Sequence, residues 1–149
     1  MSTVTFPTPA GGGAVRSDEA GANAIGSSAS PVTLGADTYE AQAGFTPTRD
    51  FRDCAWHVTI PNKGTATKVT VKVEWSEDSS NLSQQGSELI AAGVSVLSAF
   101  VQEYDVSALV APFNLPALLL PTTAPNAKVS VKADIGTTTT VYVRAWRKA

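Results

Sequence analysis

The nine residues Lys68-Val-Thr-Val-Lys-Val-Glu-Trp-Ser76 alternate strictly between polar and apolar side chains. Successive side chains of a β-strand point to opposite faces, so this run places Val69, Val71, Val73 and Trp75 on one side and Lys68, Thr70, Lys72 and Glu74 on the other. A helix would scatter the four apolar side chains around its whole circumference. A ribbon with one apolar face has to lay that face on a second layer. The segment therefore commits the chain to a half-buried sheet.

The same period recurs. Cys54, Trp56, Val58 and Ile60 alternate with Ala55, His57 and Thr59, and Pro61-Asn62-Lys63-Gly64 supplies a turn. Residues 76–81 are turn formers. Val129, Val131 and Ala133 alternate with Lys128, Ser130 and Lys132. Asp134-Ile135-Gly136 then turns the chain, and residues 137–147 return through Val141, Val143 and Ala145. These last two runs are expected to form a β-hairpin.

Residues 87–106 carry two patterns. Leu89, Gly93, Leu97, Phe100, Val101 and Tyr104 fit a helical stripe, whereas Val94, Val96, Val101 and Val106 favour a strand and Gly86 and Gly93 weaken a helix. Strand is the expectation, with helix as the alternative. Short strands joined by Gly, Pro and Asn turns predict an all-β fold, a single sandwich or jelly-roll-like domain over residues 31–149.

Residues 1–30 differ. Gly, Ala, Ser and Thr fill 19 of the 30 positions, and the larger apolar residues are scattered: Val4, Phe6, Val15 and Ile25. Such a segment buries too little surface to offset its ordering entropy, roughly 1–2 kcal/mol per residue. It is expected to be an extended N-terminal arm ordered by a neighbouring subunit, with Phe6, Val15 and Ile25 as its contact residues.

Composition narrows the function. A chain of 149 residues buries about two-thirds of its unfolded surface, enough for a core without metal or disulfide. Eleven basic against 13 acidic residues give a net charge of −2, which offers no pull toward nucleic acid or a membrane surface. The apolar residues 109–120 are interrupted by Pro112 and Pro116, and the chain start lacks the apolar run of a signal peptide. A soluble protein that stays in the compartment where it is made is expected.

Chemistry is scarce. The single Cys54 and single His57 exclude a disulfide framework and every paired-His or multi-Cys metal site. Three residues apart on a strand, they point to opposite faces, so a thiol–imidazole dyad is not expected. Asp50, Asp53, Glu77 and Asp78 read as loop and strand-end acids, and Glu77, Asp78 and Asn81 lack a calcium-loop pattern. Asn81-Leu82-Ser83 is a glycosylation sequon, with meaning only in a secretory pathway. Gly11-Gly12-Gly13 has no Lys-Ser/Thr after it, and no Gly-Xaa-Ser-Xaa-Gly elbow occurs. No catalytic, cofactor or metal site is expected, and the chain reads as a non-enzyme.

The last strand is more informative. With Val141, Val143 and Ala145 facing the core, Tyr142, Arg144, Trp146 and Lys148 face outward. Tyr, Trp and Arg dominate protein–protein hot spots, so Tyr142, Arg144 and Trp146 form a candidate contact patch, unless both faces of that strand are covered.

Val71-Lys-Val-Glu-Trp-Ser76 with its polar loop, Lys128-Val-Ser-Val-Lys-Ala133, the Thr-rich turn and Val141-Tyr-Val-Arg-Ala-Trp-Arg147 resemble small β-sandwich virion proteins of tailed bacteriophages. The nearest type is the capsid decoration, or cement, protein, and the likeness covers roughly residues 65–148. The resemblance implies a homo-oligomer, often a trimer, made in the host cytoplasm and bound to the major capsid protein on the outer surface of the virion. It assigns no family-specific functional residue. A tail or baseplate accessory protein would share these features. A carbohydrate-binding adhesin domain, using Tyr142 and Trp146 as a platform for a glycan, is the other alternative.

Overall fold

The computed structural model describes residues 15–18, 25–76, 99–135 and 138–148. Every regular element among them is a strand: β1 (Val15–Asp18), β2 (Val32–Thr33), β3 (Glu40–Ala41), β4 (Thr46–Pro47), β5 (Asp53–Asn62), β6 (Lys68–Ser76), β7 (Ala99–Asp105), β8 (Phe113–Asn114), β9 (Leu118–Pro121), β10 (Asn126–Ala133) and β11 (Thr140–Lys148). They form two antiparallel sheets. In the first, β11 and β5 are central, with β1 and β2 along the outer side of β11 and β8 and β9 along the outer side of β5. In the second, β10 and β6 are central, β3 and β4 flank β10, and β7 flanks β6.

The four long alternating runs build the centre. Cys54, Trp56, Val58 and Ile60 of β5 and Val141, Val143 and Ala145 of β11 line the inner face of the first sheet. Val69, Val71, Val73 and Trp75 of β6 and Ala127, Val129, Val131 and Ala133 of β10 line that of the second. All belong to one buried cluster. Each Val removed from water stabilises the fold by about 1.5–3 kcal/mol against a larger entropy cost, so the sandwich depends on the whole set. The rings of Trp56 and Trp75 meet across the layer edge-to-face, with centroids 6.0 Å apart.

The expected hairpin of residues 128–147 does not form. β10 pairs β6 in the second sheet and β11 pairs β5 in the first. The connection is an arch that carries the chain from one layer to the other. Six residues between Ala133 and Thr140 span up to about 20 Å when extended, twice the roughly 10 Å between packed sheets. Both strands need an inner face, and facing each other across the core satisfies that need as well as lying side by side does. The Pro61–Gly64 turn also connects two layers, taking β5 into β6.

The two arches lie together, because Thr140 is opposite Asn62 and Ala133 opposite Val69. Asp134 lashes them. Its Oδ1 accepts from the backbone N–H groups of Thr67 and Lys68, both at 3.0 Å, and its Oδ2 accepts from the Thr67 hydroxyl. Thr139 Oγ1 donates to the Lys63 carbonyl at 2.7 Å. Gly64 sits between them at φ +57, and a Cβ there would strike Thr138 Oγ1, so both backbone conformation and space require glycine. The Lys63 ammonium ties the 106–107 segment to the same end through the carbonyls of Val106 and Ser107.

Gln42 bridges β3 and β4 along the edge of β10. Its backbone N–H donates to the Val129 carbonyl, its Oε1 accepts from the Val129 N–H at 2.8 Å, and its Nε2 donates to Thr46 Oγ1. A side-chain amide thus stands in for a strand peptide in a fully buried place.

Of residues 87–106, β7 covers Ala99–Asp105 as a strand, and residues 87–98 lie outside the described residues. So do Gly11–Gly13 and the Glu77, Asp78 and Asn81 acid cluster.

Candidate functional site: the outer face of the first sheet

The outer faces of the two sheets have different chemistry. On the second sheet every lysine is engaged. Lys132 Nζ meets Asp37 Oδ1 at 2.9 Å, Lys72 meets Glu74 at 3.3 Å and Lys68 meets Glu103 at 3.5 Å. The Tyr39 ring lies under both Lys72 and Lys132, at 4.2 and 5.0 Å, and Phe45 lies under Lys128 at 4.9 Å. This face is closed by its own chain.

The first sheet presents His57 and Thr59 of β5 beside Tyr142, Arg144 and Trp146 of β11. The register sets Arg144 opposite His57, Tyr142 opposite Thr59 and Trp146 opposite Ala55. All three candidate residues of β11 are half-buried, whereas Val141, Val143 and Ala145 between them are fully buried. Alternation alone produces this division. The His57 and Trp146 rings meet edge-on at 5.7 Å, and the Arg144 guanidinium lies 5.8 Å from the Trp146 ring centroid. Thr59 Oγ1 donates to Asn114 Oδ1 at 2.6 Å on β8. Leu119 of β9, opposite Ala55, adds an apolar side chain that is 65% exposed.

Arg144 is the electrostatic centre of this face. Among the described residues no carboxylate pairs with it, and its Nε, like Trp146 Nε1, is buried without a hydrogen-bond partner. Its charge is felt by His57, whose pKa is pushed below the ordinary imidazole value by burial first and by Arg144 second. The neutral imidazole therefore predominates at pH 7. A cation near an indole, a neutral imidazole and a phenol makes a half-buried face able to accept a carboxylate, a carbonyl or a ring.

The arm residues distribute differently. Val15 begins β1, which pairs antiparallel with β11 from Val15–Lys148 to Asp18–Ala145. Ile25 exchanges backbone hydrogen bonds with Val143 and its side chain is 3% exposed within the chain's own core. It is committed to the fold and has no surface left for a neighbour. Phe6 lies outside the described residues.

Cys54 and His57 face opposite sides of the sheet. The thiol is buried, its pKa raised by desolvation, with Thr122 Oγ1 3.5 Å away. Asp53 is taken by Arg52 at 2.9 Å. No group of three or more His, Cys, Asp or Glu side chains suited to a metal ion occurs among the described residues.

Arg147 was not singled out in the sequence, although its parity with Val141, Val143 and Ala145 turns it inward. It closes the end of the sandwich away from the arches, almost fully buried, donating from Nη1 to the Pro47 carbonyl at 2.8 Å with the Phe51 ring 5.0 Å from its guanidinium carbon. Comparison of this chain with protein-family models, curated proteins and solved structures gives no match.

Proposed function

We propose that this chain works by contact rather than by catalysis, as a decoration-type subunit that docks on the outer surface of a capsid lattice and holds neighbouring shell subunits together. The observation that carries this reading is Arg144, beside the Trp146 ring and without a carboxylate among the described residues, on a face whose counterpart on the second sheet has every lysine engaged. A partner carboxylate or carbonyl brought to Arg144 would supply a pairing that the described residues do not, while Tyr142, Trp146 and Leu119 supply apolar area around it. An interface of standard size, about 1,600 Å², suffices for a specific complex. Copies repeated over a symmetric shell add buried area that must be lost before its subunits separate.

β1, a described part of the arm, lies beside β11 in this same sheet. Cutting at residue 30 would strip Ile25 from the core and β1 from the sheet. A deletion meant to test the arm therefore has to end before Val15.

The experiment is co-sedimentation with shells purified without the protein. Tyr142→Ala and Arg144→Ala are each expected to keep the fold and weaken attachment by roughly ten-fold or more, the effect of losing a central aromatic or Arg contact. Removal of residues 1–14 is expected to weaken it further. Full-strength attachment by both point variants would overturn the assignment of this face. Binding to a glycan array with none to shells would move the partner from protein to sugar.

A further inference from the structure

Sheet edges are where strands of other chains add, and the edges of this sandwich are unequal. Among the described residues, the strands beside the central pair of the first sheet are β1, β2, β8 and β9, of two or four residues each, and β10 is flanked by the two-residue β3 and β4. β7 is the exception, with seven residues. One side of it pairs with β6 from Lys68–Asp105 to Glu74–Ala99. Its other side pairs with no strand among the described residues.

β7 carries few of the features that blunt an edge. Its only charges are the exposed Glu103 and Asp105, it contains no Pro and no Lys, its register with β6 shows no bulge, and Val101 is 55% exposed. Such a strand is a template for another.

The sequence of β7, Ala99-Phe-Val-Gln-Glu-Tyr-Asp105, is complementary to itself. An antiparallel second copy with Gln102 opposite Gln102 places Phe100 opposite Tyr104, Val101 opposite Glu103 and Ala99 opposite Asp105. All seven positions pair, two aromatic pairs form, and no like charges face each other. Moving the register by two residues one way sets Glu103 against Glu103, and moving it the other way leaves Asp105 without a partner. A one-residue slip pairs the core-facing side of one strand with the solvent-facing side of the other. A parallel in-register pair stacks Glu103 on Glu103 and Asp105 on Asp105. Directly opposed like charges destabilise a strand pair, whereas aromatic pairs stabilise it.

We propose that β7 is a homodimerisation edge, with a second copy of this chain pairing antiparallel about Gln102 to join the two second sheets into one. The contact is a closed twofold, so it does not propagate into a filament. It leaves the outer face of the first sheet free, and its success or failure is separable from that of the shell-docking reading.

Analytical ultracentrifugation of the full chain tests it. The wild type is expected to show a concentration-dependent monomer–dimer equilibrium. Gln102→Glu and Gln102→Lys each place like charges opposite one another at the twofold and are expected to weaken self-association roughly ten-fold, with unchanged thermal midpoints because Gln102 is exposed. Mixing the two variants in equal amounts is expected to restore dimer to the wild-type level or beyond. A variant without added charge, Gln102→Cys, is expected to form an intermolecular disulfide across the axis with oxidised glutathione as the oxidant, while the buried Cys54 stays reduced. A wild type that stays monomeric at all concentrations, a dimer indifferent to both charges, or a mixture no better than its components would each overturn the proposal. Capture of a different protein's strand by monomeric wild type would do the same.

Discussion

The Trp56 ring on the first sheet meets the Trp75 ring on the second at an interplanar angle of 81° with 6.0 Å between centroids. Both side chains are buried, and together they fill the layer between the sheets near the end that Arg147 closes. Edge-to-face aromatic pairs add about 0.5–1.5 kcal/mol beyond the area they bury.

Trp75→Ala should therefore cost about 3–5 kcal/mol, the range for truncating a large aromatic in a core that only partly collapses. Trp75→Phe should cost less than half of that. Urea unfolding of the two variants checks this, and equal losses would mean that the ring volume is not what couples the layers.

The Asp134 staple gives a prediction with a pH signature. Partial burial acts against ionisation, but the Thr67 hydroxyl and the amides of Lys68 and Thr67 outweigh it and hold the carboxyl well below the usual carboxylate range. A depressed folded-state pKa contributes stability that is complete above the unfolded value near 4 and is lost as pH falls toward the folded value. Asp134→Asn should lower stability by about 1–3 kcal/mol at pH 7. It should also flatten the acid limb of the stability–pH curve below about pH 5, a window set by the unfolded carboxylate value. Thermal midpoints between pH 2 and 7 measure both effects.

His57 reports on Arg144. Its imidazole is held below its ordinary pKa, so the neutral form is favoured in the fold, and the stability this confers declines as pH falls through the unfolded value of about 6.5. Arg144→Gln removes the second cause and leaves the first, so the His57 pKa should rise only part of the way back. An NMR titration of the imidazole protons measures it. A downward move would show that the guanidinium is not the charge the ring feels.

Gln42 fills a gap that no strand fills. Gln42→Leu keeps the volume but leaves the Val129 N–H without its side-chain acceptor, at a cost of about 1–3 kcal/mol. Hydrogen exchange should speed at the Val129 amide more than at its neighbours on β10.

The long alternating runs were legible because each reports one face of one strand. β5, β6, β10 and β11 bury the apolar sets that the two-residue period selected, and the outward position of Tyr142, Arg144 and Trp146 followed from the same parity. Which sheet a strand joins was not legible. The valines of β10 and β11 look alike whether the strands lie side by side or face each other, and the difference rests on distant hydrogen bonds such as those from Thr67 to Asp134. β2, β3, β4 and β8 are two residues long and exist only as fringes of longer strands, so no local pattern marks them. Ile25, read as a contact residue of the arm, carries no local sign that it would bridge to Val143 inside the core. The charge of Arg147 concealed an inward position that its parity dictated.

Radical footprinting of the assembled particle tests the central claim most directly, because it reads both outer faces at once. Tyr142 and Trp146 on the first sheet should be oxidised several-fold more slowly in the particle than in the free protein, while Tyr39 on the second sheet keeps its free rate. Protection at Tyr39 with Tyr142 and Trp146 unchanged, or no protection at any of the three, would contradict the account.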